Sequence, residues 1–369
     1  LLLAFARTPA LLQSMNFASD NWAGASPKII EALGRGAGGF APAYGNDDLS
    51  RELKAQLSAL FGRDVGVLFA ATGTAANSLA LSALCPSYGA IYAHQDAHII
   101  GDEGGAPEFF THGARLVPLP GAGGKVTPAV LEATIARGTG SGSPIPKPAA
   151  LSITQATESG TVYREAEIAA LTTVAKAYGL KVHMDGARFA NAVAFLEKAD
   201  RGARLADITW KAGVDALSFG LTKNGALMAE AVVLFEAEKA AEIEWLRKRS
   251  GHVVSKAWPI AAQFLAMLEN DHWVDLARHA NAMAAALSQG LAEAGHGLGF
   301  ETEANEIFAV LPKAVIARLK QDGAKLYEWP AAALPEDKRP PADADLVRLV
   351  TSFATKAEEV ERFLGIVRG

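Results

Sequence analysis

Cys85 is the only cysteine in 369 residues. No intramolecular disulfide can form, so a reducing cytoplasmic setting is the natural one. No apolar run approaches the roughly 18 residues that a membrane-spanning helix needs. The formal net charge of −5 offers nothing to a nucleic-acid backbone. In Leu1–Ser14 no basic stretch precedes the apolar residues, which argues against a secretory signal. That segment reads as an upstream extension or a disordered tail ahead of Met15. Internal repeats and coiled-coil heptads are also missing.

What is present is ordinary for a soluble enzyme: half the residues are hydrophobic and 20% are charged. The length can bury a large core and suggests two domains. The reading divides them as 15–258, a large domain, and 259–369, a smaller C-terminal α/β domain, with the break near Trp258-Pro259.

Ser26-Pro27 opens a helix, serine as cap and proline in the first turn, that ends at Gly34. Gly34 to Gly39 formally matches G-x-G-x-x-G. It leaves a helix rather than a strand, so it is not a dinucleotide fingerprint. Asp47 caps a helix carrying Leu49, Leu53, Leu57 and Leu60 at helical spacing. Short apolar runs at 65–70, 90–93, 116–119, 149–153, 180–184 and 214–219 read as strands, most of them alternating with helices. The run 231–235 reads as one more strand, of antiparallel direction. A mostly parallel sheet covered on both faces follows. Ligands of such sheets bind beyond the carboxyl ends of the strands. Gly73-Thr74, His98, Thr157, Asp185 and Lys223 all fall there. Farther on, a long helix around 273–293 precedes strands at 307–311 and 346–353, with a helix at 313–321 between them.

Three of these strand ends carry chemistry. Thr72-Gly73-Thr74 stands between a strand and a helix, where free N–H groups and a hydroxyl can cradle a phosphate. Lys223 follows a buried strand and is flanked by Gly220 and Gly225. Desolvation leaves such an amine nucleophilic and able to condense with an aldehyde. Upstream, His183-Met184-Asp185-Gly186-Ala187-Arg188 ends another strand in an acid. An acid for a pyridinium nitrogen and a lysine for an aldehyde are the two protein groups that pyridoxal phosphate requires. His94 and His98 stand four apart, but at a strand exit and without the glutamate of a zinc-protease helix, so no metal site is assigned. A planar imidazole stacked on an aromatic cofactor is the better use for His98. Arg188 can grip a carboxylate bidentately. Arg348, within an aliphatic strand, is equally a solvated position or an anchor for a substrate carboxylate.

Taken together these motifs resemble the threonine aldolases, the pyridoxal-phosphate-dependent group related to the β-eliminating lyases, from Phe17 onward. The resemblance rests on Ala18-Ser19-Asp20-Asn21, Ala43-Tyr44-Gly45-Asn46-Asp47-Asp48, Thr72 to Asn77, His98, His183 to Arg188, Leu221 to Gly225 and Val347 to Thr351. Gln155-Ala156-Thr157-Glu158 and Thr222-Lys223-Asn224-Gly225 make it most similar to the bacterial branch of low-specificity threonine and phenylserine aldolases. The resemblance implies the aspartate-aminotransferase type of fold (fold type I) and a homodimer or homotetramer. It implies retro-aldol cleavage of L-threonine, L-allo-threonine or a β-aryl serine to glycine and an aldehyde. By it Lys223 carries the cofactor, Asp185 protonates the ring nitrogen, and His98 stacks on the ring. Gly73, Thr74 and neighbouring amides, with Thr222 beside the lysine, hold the phosphate end. Ser19, Arg188 and Arg348 bind the substrate carboxylate, with Arg188 also near the cofactor oxygen. Two positions depart from the family pattern: Glu158 stands where many members have histidine, and an arginine for the phosphate is missing after Arg249-Ser250-Gly251, leaving Lys256 as a substitute. The base for the β-hydroxyl proton is Glu158, His98 or a water. A β-eliminating lyase, an aminotransferase and a non-catalytic cofactor-binding protein are the alternatives.

Overall fold

A computed structural model describes residues 15–139, 145–199 and 205–369. Leu1–Ser14, read above as an extension, lies outside them. Among the described residues ten strands form two sheets. In chain order they are β1 Gly66–Ala70, β2 Gly89–His94, β3 Arg115–Leu119, β4 Lys147–Thr154, β5 Lys181–Gly186, β6 Ala216–Gly220, β7 Glu230–Leu234, β8 Glu306–Pro312, β9 Tyr327–Trp329 and β10 Ala344–Val350.

The seven-stranded sheet has the order β1-β7-β6-β5-β4-β2-β3. Neighbours from β3 through β6 are parallel, whereas β7 runs antiparallel to both β6 and β1. The fully buried apolar runs of β1, β6 and β7 are what such a doubly covered sheet needs. Because β7 alone is reversed, its first residue, Glu230, lies at the edge where β1, β4, β5 and β6 end. The helix Gly73–Leu84 covers one face. Its Ala75, Ala76 and Leu79 pack on Leu68, Ala70, Val232 and Leu234. On the other face Phe219 sits among aromatic rings, 5.3 Å from Trp273 and 5.6 Å from both Phe189 and Phe264 by ring centroids.

The three-stranded sheet, β8-β10-β9, is antiparallel and builds a second core with Met15, Phe17, Leu287 and Phe363. Counted by core, the helix Trp258–Leu268 goes with the larger unit, through Ile260, Phe264 and Met267. The helix His272–Glu293 belongs to both, giving Trp273 and Ala277 to the first core and Leu287 and Leu291 to the second. Met15 and Phe17 pack with the smaller unit, Phe17 edge-on to Phe363 at 5.1 Å. Among the described residues no helix is long and apolar enough to cross a membrane.

Local expectations fail in two instructive places. The first helix runs Pro27–Gly36, past Gly34. Gly36 lies so close under the Trp258 ring that a Cβ there would come within 2.4 Å of it, so tertiary contact outweighs the poor helix propensity of glycine. Ser26 occupies the cap position, but its hydroxyl makes no cap bond and meets His272 Nε2 at 2.8 Å instead. Asp47 does cap as expected, accepting from Ser50 N at 2.9 Å.

Truncating Phe219 would leave its neighbours Phe189, Phe264 and Trp273 around a void. Phe219→Ala is expected to cost about 3–5 kcal/mol of unfolding free energy, measurable as a fall in the urea midpoint at unchanged slope. A loss below about 1 kcal/mol would mean that the cluster is looser than its ring geometry implies.

Candidate active site

The edge where the parallel strands end holds a cavity of about 290 Å³. Each strand delivers one part of its wall. After β1, Thr72 caps the helix Gly73–Leu84, its Oγ1 accepting from Ala75 N at 3.1 Å. The helix start therefore presents N–H groups and positive dipole to the cavity, and Gly73 leaves open space where a side chain would stand. At the end of β5, Asp185 is buried, accepting from Ala187 N at 3.0 Å and from Asn77 Nδ2 at 2.8 Å. After β6 a short 3-10 turn, Thr222–Asn224, carries Lys223. The turn is pinned on both sides: Asn224 Nδ2 donates to Trp273 O at 2.7 Å, and Gly225, at φ +105°, leaves it in a conformation that a side chain would strain.

Gly73, Thr74, His98, Glu158, Asp185, Thr222 and Lys223 from the sequence reading thus meet on one cavity. His98 does so from the first position of the short helix His98–Gly101 rather than from a loop. Thr157 does not. Its hydroxyl is occupied by Gly123 O and Thr161 Oγ1, and it is the next residue, Glu158, that reaches the wall. Lys256 is exposed in the segment whose Ser255 O accepts from Tyr44 N, and it does not line this cavity. His94 is turned away, held by Gly121 O and Asp96 N.

Arg188 and Arg348 gather in an ion-pair group with Asp20 and Glu306, whereas Ser19 stays outside it, next to Asp20 in the chain. Ser19 Oγ accepts from Asn21 N at 3.2 Å, and Asn21 itself lines the cavity. Arg188 donates from Nε and Nη2 to Asp20 at 2.8 and 3.1 Å, and its Nη1 pairs with Glu306 at 3.1 Å. Arg348 donates from Nε to the other oxygen of Glu306 at 2.9 Å and lies over the Trp329 ring. Burial works against ionising Asp20, yet Arg188, with Lys223 and Asn305, holds it below the usual carboxylate range.

Asn21, Asn77, Glu103 and Glu230 complete the cavity wall and had no assigned role. Asn77 lies in the quoted Thr72–Asn77 motif, one helical turn past the cradle, and the helical period would have aimed it inward. Glu103 takes His98 Nδ1 at 2.9 Å and Asn77 Nδ2 at 2.8 Å. The Glu103 hydrogen bond raises the His98 pKa, while burial raises that of Glu103 itself, so the pair retains a proton. Burial also raises Glu158, against the pull of Lys223.

These residues fit pyridoxal phosphate on the structure's own terms. A carboxylate and an amine share one small cavity with an amide cradle whose first residue has no side chain, and the buried Asn77 Oδ1 and Glu103 Oε2 are left without hydrogen-bond partners. The sequence profile of the beta-eliminating lyase family matches residues 16–314. The chain belongs to that family. Among members of known activity, it is 41% identical over 319 residues to the low specificity L-threonine aldolase of Pseudomonas sp. strain NCIMB 10558, covering 86% of this chain and 90% of the relative. It is 40% identical over 318 residues to that of Pseudomonas aeruginosa, with the same coverage. Its fold is similar to that of Leishmania major threonine aldolase, with a TM-score of 0.86, 29% identity, and 96% and 98% of the two chains covered. Sphingomonas wittichii serine palmitoyltransferase, at 18% identity and a TM-score of 0.68 over 96% and 86% of the chains, shares the type of fold.

One further group in this lyase lies just beneath the site. His183, two residues before Asp185 on β5, is fully buried between Ser152 Oγ and Ser218 Oγ, each 2.9 Å from a ring nitrogen. Burial pushes its pKa from 6.5 down to about 4, with Asp185 pulling weakly the other way. Between those values the unfolded chain binds a proton that the folded chain refuses. The stabilisation is full above pH 6.5 and is lost as pH falls toward 4, by about 3 kcal/mol. His183→Gln should flatten this part of the acid limb, and urea midpoints at pH 7 and pH 4.5 for both proteins check it. Parallel losses in the two would remove His183 as the cause.

Proposed function

We propose that this chain is a pyridoxal-phosphate-dependent aldehyde-lyase that cleaves L-threonine, and with it L-allo-threonine or β-aryl serines, to glycine and an aldehyde. The observation that carries the reading is that Lys223, Asp185 and the Thr72–Thr74 helix start, which come from three separate strand ends, line a single cavity. The identity of 40–41% with low specificity L-threonine aldolases supports the reaction over an aminotransferase or a β-elimination.

When bound, pyridoxal phosphate supplies the electron sink into which the Cα–Cβ bond can break. Lys223, on the cavity wall, would hold its aldehyde carbon through the side-chain amine. Asp185, kept in place by Asn77 and Ala187 N, keeps the ring nitrogen protonated. The N–H groups at Gly73 and Thr74 take the phosphate. Arg188 and Arg348 grip the substrate carboxylate from the side of Glu306, which fixes the scissile bond relative to the ring. Glu158 stands at the cavity wall with a carboxyl raised toward neutrality by burial, a condition that suits a group removing the β-hydroxyl proton. His98, backed by Glu103, packs against the ring and is the alternative base. A cytoplasmic setting and a homodimer or homotetramer complete the reading. Large side chains left exposed on the single chain, Phe40, Phe109 and Trp245 among them, support burial against a second copy.

Release of glycine and aldehyde from threonine tests the function, and ammonia with a keto acid would mark a β-eliminating lyase instead. Lys223→Ala should lower threonine cleavage by about a thousandfold or more and abolish the visible absorption of the bound cofactor. Full activity in that variant would sink the assignment. Arg348→Ala should raise KM for threonine by about tenfold to a hundredfold, as befits a lost charge-assisted contact. An unchanged KM would take Arg348 out of the carboxylate grip.

A further inference from the structure

Glu230 is a buried acid in a cavity wall that already has Asp185 to meet a ring nitrogen and Glu158 and His98 to move a proton. Its place follows from strand direction. As the first residue of β7 it pairs with Ala70, the last residue of β1, and with Gly220, the last residue of β6. The first of these strands leads into the Thr72–Thr74 cradle and the second into Lys223. Glu230, Val232 and Leu234 share one face of the strand, and Val232 and Leu234 pack under the helix Gly73–Leu84. The Glu230 side chain therefore stands on the side of the sheet where that helix starts. Room for it is made by Gly220, where a Cβ would meet Glu230 Oε2 at 2.7 Å.

We propose that Glu230 couples the binding of a phosphate group at the helix start to the uptake of one proton, making the cofactor's hold on the protein pH-dependent. The inference rests on the cofactor reading above and adds to it a residue and a linkage. Two anions then share one small cavity of about 290 Å³. A phosphate dianion arriving there is opposed by an ionised Glu230 and tolerated by a neutral one, so binding draws a proton from solvent onto the carboxyl. Burial pushes Glu230 up to about 7, against the hydroxyl and N–H of Thr222 and the charge of Lys223, with Asp185 adding to the rise. The carboxyl is thus poised to change state near neutral pH. Its role is positioning and electrostatic, and the remaining titratable groups on the wall are Asp185, Lys223, His98, Glu103 and Glu158.

The test compares cofactor-free wild type, Glu230→Gln and Glu230→Ala for binding of pyridoxal phosphate and of inorganic phosphate between pH 6 and pH 8. Pyridoxal without phosphate serves as control. Phosphate's own ionisation and the other wall groups act alike in all three proteins and cancel in the comparison. Wild-type affinity for pyridoxal phosphate is expected to fall about tenfold relative to Glu230→Gln across this range, the limit for one proton on a group that titrates near 7. Glu230→Gln should match wild type at pH 6, and pyridoxal should show no Glu230-dependent slope. Calorimetry of wild type in buffers of different ionisation enthalpy should register proton uptake beyond that seen with pyridoxal, a measurement that needs no variant to fold. Parallel profiles in wild type and Glu230→Gln, or no excess proton uptake, would overturn this inference and leave the cofactor reading intact. A wild-type protein that binds neither ligand at any pH would overturn both.

Discussion

The buried guanidinium of Arg188 ties together three distant parts of the chain. It stands three residues past Asp185, at the end of β5 in the large unit. It reaches Asp20 in the N-terminal segment and Glu306 at the start of β8 in the small unit. Asn305 donates to Asp20 and to Thr351 O, closing the group against β10. Charges this deeply buried are tolerable only when each is paired, and removing one partner leaves the other stranded at a cost of about 3–5 kcal/mol. The two cores are therefore held at a fixed spacing at the proposed carboxylate grip. Arg348, on the far side of Glu306, inherits that spacing.

The cavity itself is short of positive side chains. Lys223 and His98 face Glu103, Glu158, Asp185 and Glu230. Desolvation and mutual repulsion then push several of these carboxyls upward, so protons are held in the wall before any ligand arrives. Positive potential for an anion comes instead from backbone, at the helix start capped by Thr72. That division suits a cofactor whose phosphate is anionic and whose ring nitrogen is cationic. Dipoles serve one end and Asp185 the other, and the lysine is left available for covalent chemistry.

Most of this architecture was legible because it is written in local patterns. Short apolar runs followed by small or polar residues marked the strand ends, and reversing the run at 231–235 was enough to anticipate an antiparallel β7. Asp185, Lys223 and Gly73-Thr74 were found because each directly follows such a run. The groups that escaped depend on pairing between distant segments. Glu230 has no local mark of function. It becomes a site residue only because β7 lies between β1 and β6 and runs the other way. Glu306 is likewise an unremarked acid ahead of an aliphatic strand until the small unit docks on Arg188. Thr157 and Glu158 show the limit from the other side: the loop was right, but hydrogen bonds to Gly123 and Thr161 decide which of two adjacent side chains turns inward.

The same seam bears on how the enzyme can prefer cleavage of a Cα–Cβ bond. Which bond at Cα breaks depends on which one stands perpendicular to the cofactor ring, and that is set by where the carboxylate is gripped relative to the lysine. Lys223 is fixed by Asn224 to Trp273, within the first core, whereas Arg348 sits on a strand of the second. The angle between grip and lysine is thus a property of the packing between two cores rather than of any one loop. Glu306 stands on this seam with both arginines on its carboxylate, holding them at a separation of about one carboxylate group before a substrate arrives. On the proposed grip, reaction choice in this chain can then shift through residues that never touch the reacting atoms, provided they move β10 against β5.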